Sequence, residues 1–240
     1  MPLLEYISDQ NLYDEVEYLL KKAINKRNAA EKSFNSNVID PFGALFEAPG
    51  FTSHQEWRNS EIARQRQKTI QNHVGTFHQK ILGHVNGWKD LGRGKIVDLV
   101  NDEKKIIAEI KNKYSTVTGG DLSSKYEGLE KLIMPKHSLY KGYRAYFVNI
   151  IPKKPARSDV PFTPSNKDNG APCASNPDLR IIDGASFYEI VTGRANALAE
   201  LHGILPQVIE FVCRNRLNQP GYTIPDKKDF IEYFKLAYVK

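Results

Sequence analysis

Residues 95–111, KIVDLVNDEKKIIAEIK, decide how this chain folds. Two runs within the stretch, 95–100 and 105–111, are rich in β-branched and other apolar residues, which are typical of strands. The polar residues Asn101-Asp102-Glu103 separate the two runs, and residues of this kind favour a tight turn. The stretch therefore predicts a β-hairpin.

The segments around the hairpin alternate between helical and extended patterns. Apolar residues recur at helical spacing over 9–30, with Ser8 placed to cap, over 60–82, and again from Leu122 to Ile133. A further apolar run over 143–151 predicts a third strand. Helix, hairpin, helix and strand in this order predict an α/β fold, a sandwich with a central mixed β-sheet flanked by helices.

The rest of the chain carries weaker structural signals. Residues 35–53 hold several Pro and Gly residues and predict an irregular connection that packs Phe42, Phe46 and Phe51 on the core. Residues 152–177 predict a long polar loop. The elements expected beyond it are a short strand over 179–182, a helix over 186–192 ending at Gly193, a helix with Pro206 in its first turn reaching about Leu217, and a last helix over 229–238.

Length and composition narrow the class of protein. The 240 residues predict one domain over 1–240, with a core at about 60–195 and helical elaborations at both ends. The 34 Lys and Arg residues exceed the 28 Asp and Glu residues, and the net charge of +6 fits a polyanionic partner. Cys173 and Cys213 lack metal-ligand spacing and fit a reducing cytoplasm. The sequence shows no membrane-spanning run, no zinc-ligand spacing and no Walker phosphate loop.

Two carboxylates in the hairpin point to metal chemistry. Asp98 and Glu109 each interrupt an apolar run, and burying them is costly unless a cation compensates. Lys111 follows Glu109 by two residues, so the two side chains share one face of the strand. A hairpin can bring Asp98 beside them. Two carboxylates and an ammonium group suit the hydrolysis of a phosphodiester by a water that Mg²⁺ activates.

The pattern D-x10-E-x-K resembles the active centre of the PD-(D/E)xK nuclease superfamily. A closer resemblance covers residues 65–115, QRQKTIQNHVGTFHQKILGHVNGWKDLGRGKIVDLVNDEKKIIAEIKNKYS, which are similar to the corresponding region of type II restriction endonucleases that cut GGNCC sites. It continues in residues 161–165, PFTPS, and in residues 180–188, RIIDGASFY. Together these segments span most of 60–195.

The resemblance implies a restriction-endonuclease-like fold and a role for three residues. Asp98, Glu109 and Lys111 match the catalytic positions of the motif, with Asp98 and Glu109 as ligands of the cofactor Mg²⁺. It also implies a double-stranded DNA substrate with a short GC-rich palindrome, cut by a homodimer in the prokaryotic cytoplasm. Many superfamily members carry a Glu on the helix before the hairpin. This helix instead offers Gln71, His78 and Gln79. Gln79 is a candidate accessory residue, as is Asn112, and a solvent-facing glutamine is the alternative for Gln79.

Several basic residues are candidates for DNA contacts. The basic first half of the helix over 60–82 and the polar region after the third strand could each face phosphates or bases. The candidates are Arg64, Arg66, Lys68, Lys113, Arg157 and Arg180. Arg180 is the first choice as a guanine reader because it begins an ordered stretch. A solvated charge remains the alternative for each of them.

Two other functions stay open at the level of the sequence. A structure-selective DNA repair nuclease of the same superfamily would carry the same catalytic residues. A non-catalytic DNA-binding module would need only the basic helix. Discrete bands from a plasmid digest would separate a restriction enzyme from the first, and Mg²⁺ with EDTA controls would separate it from the second.

Overall fold

The hairpin forms one side of a six-stranded mixed sheet in the computed structural model, which describes residues 1–34, 39–92 and 94–238. The sheet order is β1-β2-β3-β4-β6-β5. Its strands are β1 (Lys89–Asp90), β2 (Leu99–Asn101), β3 (Ile106–Lys113), β4 (Arg144–Ile151), β5 (Asp159–Pro161) and β6 (Leu179–Asp183). β2 and β3 pair antiparallel, whereas β3, β4 and β6 run parallel, so their carboxyl ends meet at one edge.

Helices cover both faces of this sheet. Those in the described residues are α1 (Asp9–Ser33), α2 (Pro41–Glu47), α3 (His54–Gly83), α4 (Gly119–Ile133), α5 (Gly184–Thr192), α6 (Ala197–Arg216) and α7 (Lys227–Tyr238). Side chains cap several of them: Ser8 accepts a hydrogen bond from the Asn11 N–H at the start of α1, as predicted. Asp183 caps α5 in the same way, and Gly193 ends that helix in the left-handed region.

The sheet separates two apolar cores. On one side, here called the α3 face, Ala108 and Ile110 of β3 pack with residues of α1, α3, α5 and α6. On the other side, the α4 face, Ile107 of β3 and Phe147 of β4 pack with Tyr126 and other residues of α4. Side chains alternate between the two faces along each strand, because successive residues of a strand point in opposite directions. The fold class predicted from the sequence is confirmed.

Some element bounds differ from the prediction. The first strand is shorter than 95–100, since β2 begins at Leu99 and Asp98 lies just before it rather than in mid-strand. The Asp98 N–H nevertheless donates to the Ala108 carbonyl, so the hairpin pairing continues through this residue. The predicted helices over 60–82 and 122–133 begin earlier, as α3 and α4.

The prediction for residues 35–53 was wrong in two respects. A short helix, α2, begins after Asp40, whose carboxylate accepts the Phe42 and Gly43 N–H groups. Phe42 and Phe46 are 73% and 87% exposed and do not pack on the core. Only Phe51 packs against a small cluster that contains Trp57. Residues 35–38 of this connection lie outside the described part of the chain.

Two predictions farther along the chain also need correction. Pro206 lies inside α6 rather than in its first turn, because the helix already begins at Ala197. The region 152–177 is not wholly irregular, since it contains β5 and an isolated bridge between Ser165 and Pro172. None of the described helices is long and apolar enough to cross a membrane. The single domain over 1–240, with a core at about 60–195, stays a prediction.

Candidate active site

Asp98 and Glu109 meet at the end of the hairpin. The antiparallel register ends where Leu99 pairs with Ala108, and the Asp98 N–H also donates to the Ala108 carbonyl. Asp98 lies close enough to Glu109 for the negative charge of Glu109 to raise the pKa of Asp98. The hairpin therefore brings together the two carboxylates that the sequence singled out.

The chain holds the Asp98 carboxylate in a fixed orientation. Its Oδ2 accepts a hydrogen bond of 2.6 Å from the Ile110 N–H, and the side chain of Gln79 on α3 donates a second one. Burial, followed by the negative charge of Glu109, raises the pKa of Asp98 to about 6. Both effects favour the protonated form of Asp98. A cation bound by the two carboxylates would offset the repulsion between Asp98 and Glu109.

Glu109 is buried but accepts two ammonium groups. Its side chain is 5% exposed, and its Oε1 lies 2.7 Å from the Nζ of Lys111 and 2.8 Å from the Nζ of Lys125. Lys111 belongs to the same strand and face, as its spacing predicts. Lys125 comes from α4, which covers this face of the sheet. An unpaired buried carboxylate would be costly, and the contacts with these two ammonium groups offset that cost.

Sequence reasoning missed Lys125. It lies in the predicted helix beside the apolar position Tyr126, where a lysine is usually a solvated flank. Its contact with Glu109 depends on how α4 crosses the sheet, and local sequence carries no signal for that crossing. The prediction that Gln79 is an accessory residue agrees with its contact to Asp98.

The donor set fits Mg²⁺ better than a transition metal. In the described part of the chain, no group of three or more His, Cys, Asp or Glu side chains could hold a metal ion. Two carboxylates remain, Asp98 and Glu109. Mg²⁺ commonly takes only one or two carboxylates and completes its shell with waters and substrate phosphates, whereas zinc sites need three or four protein ligands.

The two residues after Lys111 point to opposite faces. Lys113 shares the α4 face with Glu109 and is exposed at the carboxyl end of β3. Asn112 faces away from them, towards the region where Gly75 of α3 approaches the strand. Within the described residues, the Asn112 Oδ1 is buried and has no hydrogen-bond partner. Asn112 therefore lies on the side of the sheet covered by α3, and its accessory role stays a prediction.

The three basic residues of α3 that the sequence suggests for DNA contacts, Arg64, Arg66 and Lys68, lie far from the carboxylates. Arg64 pairs with Glu47 and Glu61, so its charge is already compensated within the protein. Arg66 and Lys68 lie on the same half of the helix, and Lys68 is exposed. At 1.5 Å per residue, Lys68 is about 16 Å along the helix axis from Gln79. The structure does not bring these three residues to the site.

Arg157 and Arg180 are both tied to carboxylates. Arg157 pairs with Glu189 of α5 and is 44% exposed. Arg180 in β6 donates to Asp159 of β5, with 2.5 Å between its Nε and Oδ1. Arg180 is in register with Tyr146, which belongs to the α3 face, so its side chain lies on the opposite face of the sheet from Glu109.

Comparisons with known proteins show the family of the chain. Residues 4–214 match the sequence profile of the Eco47II restriction endonuclease family. The chain is 70% identical over 238 residues to the type II restriction enzyme Eco47II of Escherichia coli, covering 99% of this chain and 100% of that protein. It is 33% identical over 213 residues to the type II restriction enzyme Sau96I of Staphylococcus aureus, covering 86% of this chain and 80% of that protein. The chain therefore belongs to the Eco47II restriction endonuclease family, as the resemblance of its sequence to type II restriction endonucleases predicted.

Proposed function

We propose that this restriction endonuclease hydrolyses double-stranded DNA at a short GC-rich palindrome of the GGNCC type, with Mg²⁺ as cofactor. The observation that carries the proposal is the pair of neighbouring carboxylates, Asp98 and Glu109, with the Lys111 ammonium group 2.7 Å from Glu109. This arrangement offers a cation site beside a positive charge at a position that DNA can approach.

Asp98 and Glu109 would hold the ion. Bound there, Mg²⁺ would supply Lewis acidity, which polarises a phosphoryl oxygen and lowers the pKa of a bound water. The Ile110 N–H and the Gln79 side chain keep Asp98 from turning away, which reduces the reorganisation needed when DNA binds. The two carboxylates thus fix the position of the cation relative to the sheet edge.

Lys111 would act on the reacting groups directly. Its side chain is 22% exposed, so its ammonium group can reach a phosphate at the surface while remaining close to Glu109. A positive charge there stabilises the negative charge that develops on the phosphoryl oxygens, and it can orient the attacking water by a hydrogen bond. Asp98, Glu109 and Lys111 are therefore proposed as the catalytic residues.

Loss of either carboxylate tests this proposal. We expect Asp98→Ala and Glu109→Ala to abolish plasmid cleavage in Mg²⁺, because a missing metal ligand costs several kcal/mol of transition-state stabilisation, about a thousandfold or more in rate. Specific DNA binding in Ca²⁺ should persist. Glu103→Ala, which removes an exposed carboxylate from the turn of the same hairpin, is the matched control and should cut normally. Cleavage by Asp98→Ala within about tenfold of wild type would refute the assignment.

The assembly and the place of action follow from the type of site. A two-fold palindrome is matched most simply by a two-fold protein, so we propose a homodimer in which each subunit cuts one strand. The substrate and the reducing conditions that suit two free cysteines, Cys173 and Cys213, favour the prokaryotic cytoplasm. Sedimentation of the purified protein with and without a duplex carrying the site measures the stoichiometry.

The DNA-reading residues remain proposals. Lys113 and Arg157 lie near the carboxyl ends of the parallel strands and support contacts with the duplex, whereas the Arg180 guanidinium lies on the other face and is held by Asp159. If Arg180 reads guanine, Arg180→Ala should cost about 1–3 kcal/mol and relax discrimination at one base pair. Competition binding with single-base-pair variants of the site checks this. Unchanged affinity and discrimination would exclude Arg180 as the reader.

A further inference from the structure

Lys125 contacts Glu109, but the proposed mechanism assigns it no role. Its Nζ lies 2.8 Å from the Glu109 Oε1, the same oxygen that the Lys111 ammonium group contacts at 2.7 Å. Two cations therefore share a single carboxylate oxygen. That oxygen belongs to a residue that the proposed function needs as a ligand of Mg²⁺.

The two lysines differ in their freedom to leave Glu109. Lys111 extends from the central strand β3, and its side chain is 22% exposed. Lys125 extends from α4, which covers the sheet, and its side chain is 38% exposed. A lysine side chain has a flexible four-carbon stem, so a partly exposed ammonium group can swing to a nearby acceptor without moving the helix. Lys125 is the better placed of the two to move outward.

A cation bound at Glu109 would change the balance of charges around Lys125. In the metal-free protein, the buried carboxylate attracts both ammonium groups. A divalent cation on the same carboxylate neutralises that attraction and repels a neighbouring ammonium group. DNA meanwhile brings phosphate oxygens to the exposed side of the site, and these are strong acceptors for an ammonium group.

We propose that Lys125 is a mobile phosphate-binding residue of the active site. In the free enzyme its ammonium group donates to the Glu109 Oε1. There it holds the carboxylate in place and competes with the metal ion for that oxygen. When metal and DNA bind, the ammonium group moves from Glu109 to an oxygen of a DNA phosphate. This inference rests on the proposed function, since it takes Glu109 as a ligand of the metal.

Metal binding without DNA tests the first half. Calorimetry with Ca²⁺ should show that Lys125→Gln binds the ion about threefold to tenfold more tightly than wild type, because a partly exposed competitor has been removed. Lys125→Arg, which keeps the charge, should bind Ca²⁺ as wild type does. Lys131→Gln is the matched control, because it removes an exposed charge from the same helix away from Glu109. It should leave the affinity unchanged.

DNA binding in Ca²⁺ tests the second half. Lys125→Gln should weaken the binding of cognate duplex and reduce the slope of log K against log salt by about 0.9, the loss of one phosphate contact. Lys131→Gln should not change the slope. A substitution that merely loosened the fold would weaken Ca²⁺ and DNA binding together. Tighter metal binding combined with weaker DNA binding distinguishes the proposed role from a structural one.

The outcomes separate this inference from the function on which it rests. If Glu109→Gln leaves Ca²⁺ binding unchanged, the assignment of Glu109 as a metal ligand is wrong, and the proposed function fails with it. If Glu109→Gln lowers Ca²⁺ affinity but Lys125→Gln does not raise it, or leaves the salt slope unchanged, only the role of Lys125 is overturned.

Discussion

The two faces of β3 show how differently one strand can be used. On the α4 face, Glu109 and Lys111 form a buried ion pair beside Asp98. On the α3 face, Ala108 and Ile110 lie in an apolar core and are almost completely buried. Neighbouring residues of the strand thus lie in two different environments, one charged and one apolar. A substitution on one face should therefore leave the property of the other face largely unchanged.

The α3 face also contains a cavity of about 400 Å³ with an almost wholly apolar lining. Helix α7 covers part of it through Phe234 and Tyr238, and the Tyr238 hydroxyl donates to the Ile150 carbonyl of β4. His78 borders this cavity, and its Nδ1 lies 2.7 Å from the Tyr188 hydroxyl. Burial lowers the pKa of His78 to about 4. The polar groups that border this cavity, His78 and the Tyr238 hydroxyl, are thus uncharged, whereas Glu109 and Lys111 on the α4 face form an ion pair.

The largest effect is expected from Lys111 on the α4 face. Lys111→Ala should lower the single-turnover cleavage rate by about a hundredfold to a thousandfold, the usual cost of losing a group that stabilises developing charge. Lys111→Arg should rescue poorly, because a planar guanidinium cannot place a compact charge at the same point. Saturating enzyme and Mg²⁺ isolate the chemical step. Equal rates for Arg and Lys at this position would reduce Lys111 to a structural residue.

The next effect concerns His78 and the pH dependence of stability. Burial lowers the pKa of His78 to about 4, below the value of 6.5 expected in the unfolded chain. Below pH 6.5 the unfolded state therefore binds a proton that the folded state does not. The stability contributed by neutral His78 is fully present above pH 6.5 and is lost as the pH falls towards 4, by about 3 kcal/mol.

Urea unfolding between pH 7 and pH 4 measures this loss. His78→Gln should make the free energy of unfolding fall less steeply over that range than in wild type. The control His137→Gln removes an exposed histidine and should follow the wild-type curve. Parallel curves for wild type and His78→Gln would show that His78 is not responsible. Cleavage measured at pH 7 should be similar in all three proteins.

The smallest effect is expected from Ile110, which precedes Lys111 in β3 and faces the opposite side of the sheet. Ile110→Val removes one methylene group from a residue that is 2% exposed, which should lower the free energy of unfolding by about 0.5–1.5 kcal/mol. The backbone N–H that binds Asp98 remains, so single-turnover cleavage should change by less than about twofold. A large loss of cleavage with little loss of stability would show that the two faces are coupled.

Local pattern predicts the arrangement of side chains at the centre of the proposed site. Period-two alternation places Glu109 and Lys111 on one face, and the turn between the two runs brings Asp98 near Glu109. Lys125 could not be found in this way, because its role depends on the packing of α4 against the sheet. The ion pair between Arg180 of β6 and Asp159 of β5 likewise depends on the pairing of the two strands and could not be predicted from local sequence.

Pro206 shows the same limit for secondary structure. Proline favours the first turn of a helix, since it has no N–H to donate, and this rule predicts a helix that begins nearby. In the structure, Leu201 before it and Val208 and Val212 after it all pack into one core. The burial of these side chains outweighs the hydrogen bond that proline cannot make, so α6 continues through it.

The polar and charged groups of the proposed site all lie between residues 79 and 125 of the chain. The strands of the sheet that supports them are spread over a longer stretch, from Lys89 to Asp183. Hairpin contacts form at low cost in chain entropy, because little chain must be closed. Pairing β3 with β4 requires closure of the segment that contains α4, and pairing β4 with β6 requires closure of the long connection after Ile151. We therefore expect the reactive groups to assemble early in folding. The parallel pairing of the later strands should then set the rate at which a newly made chain becomes an active nuclease.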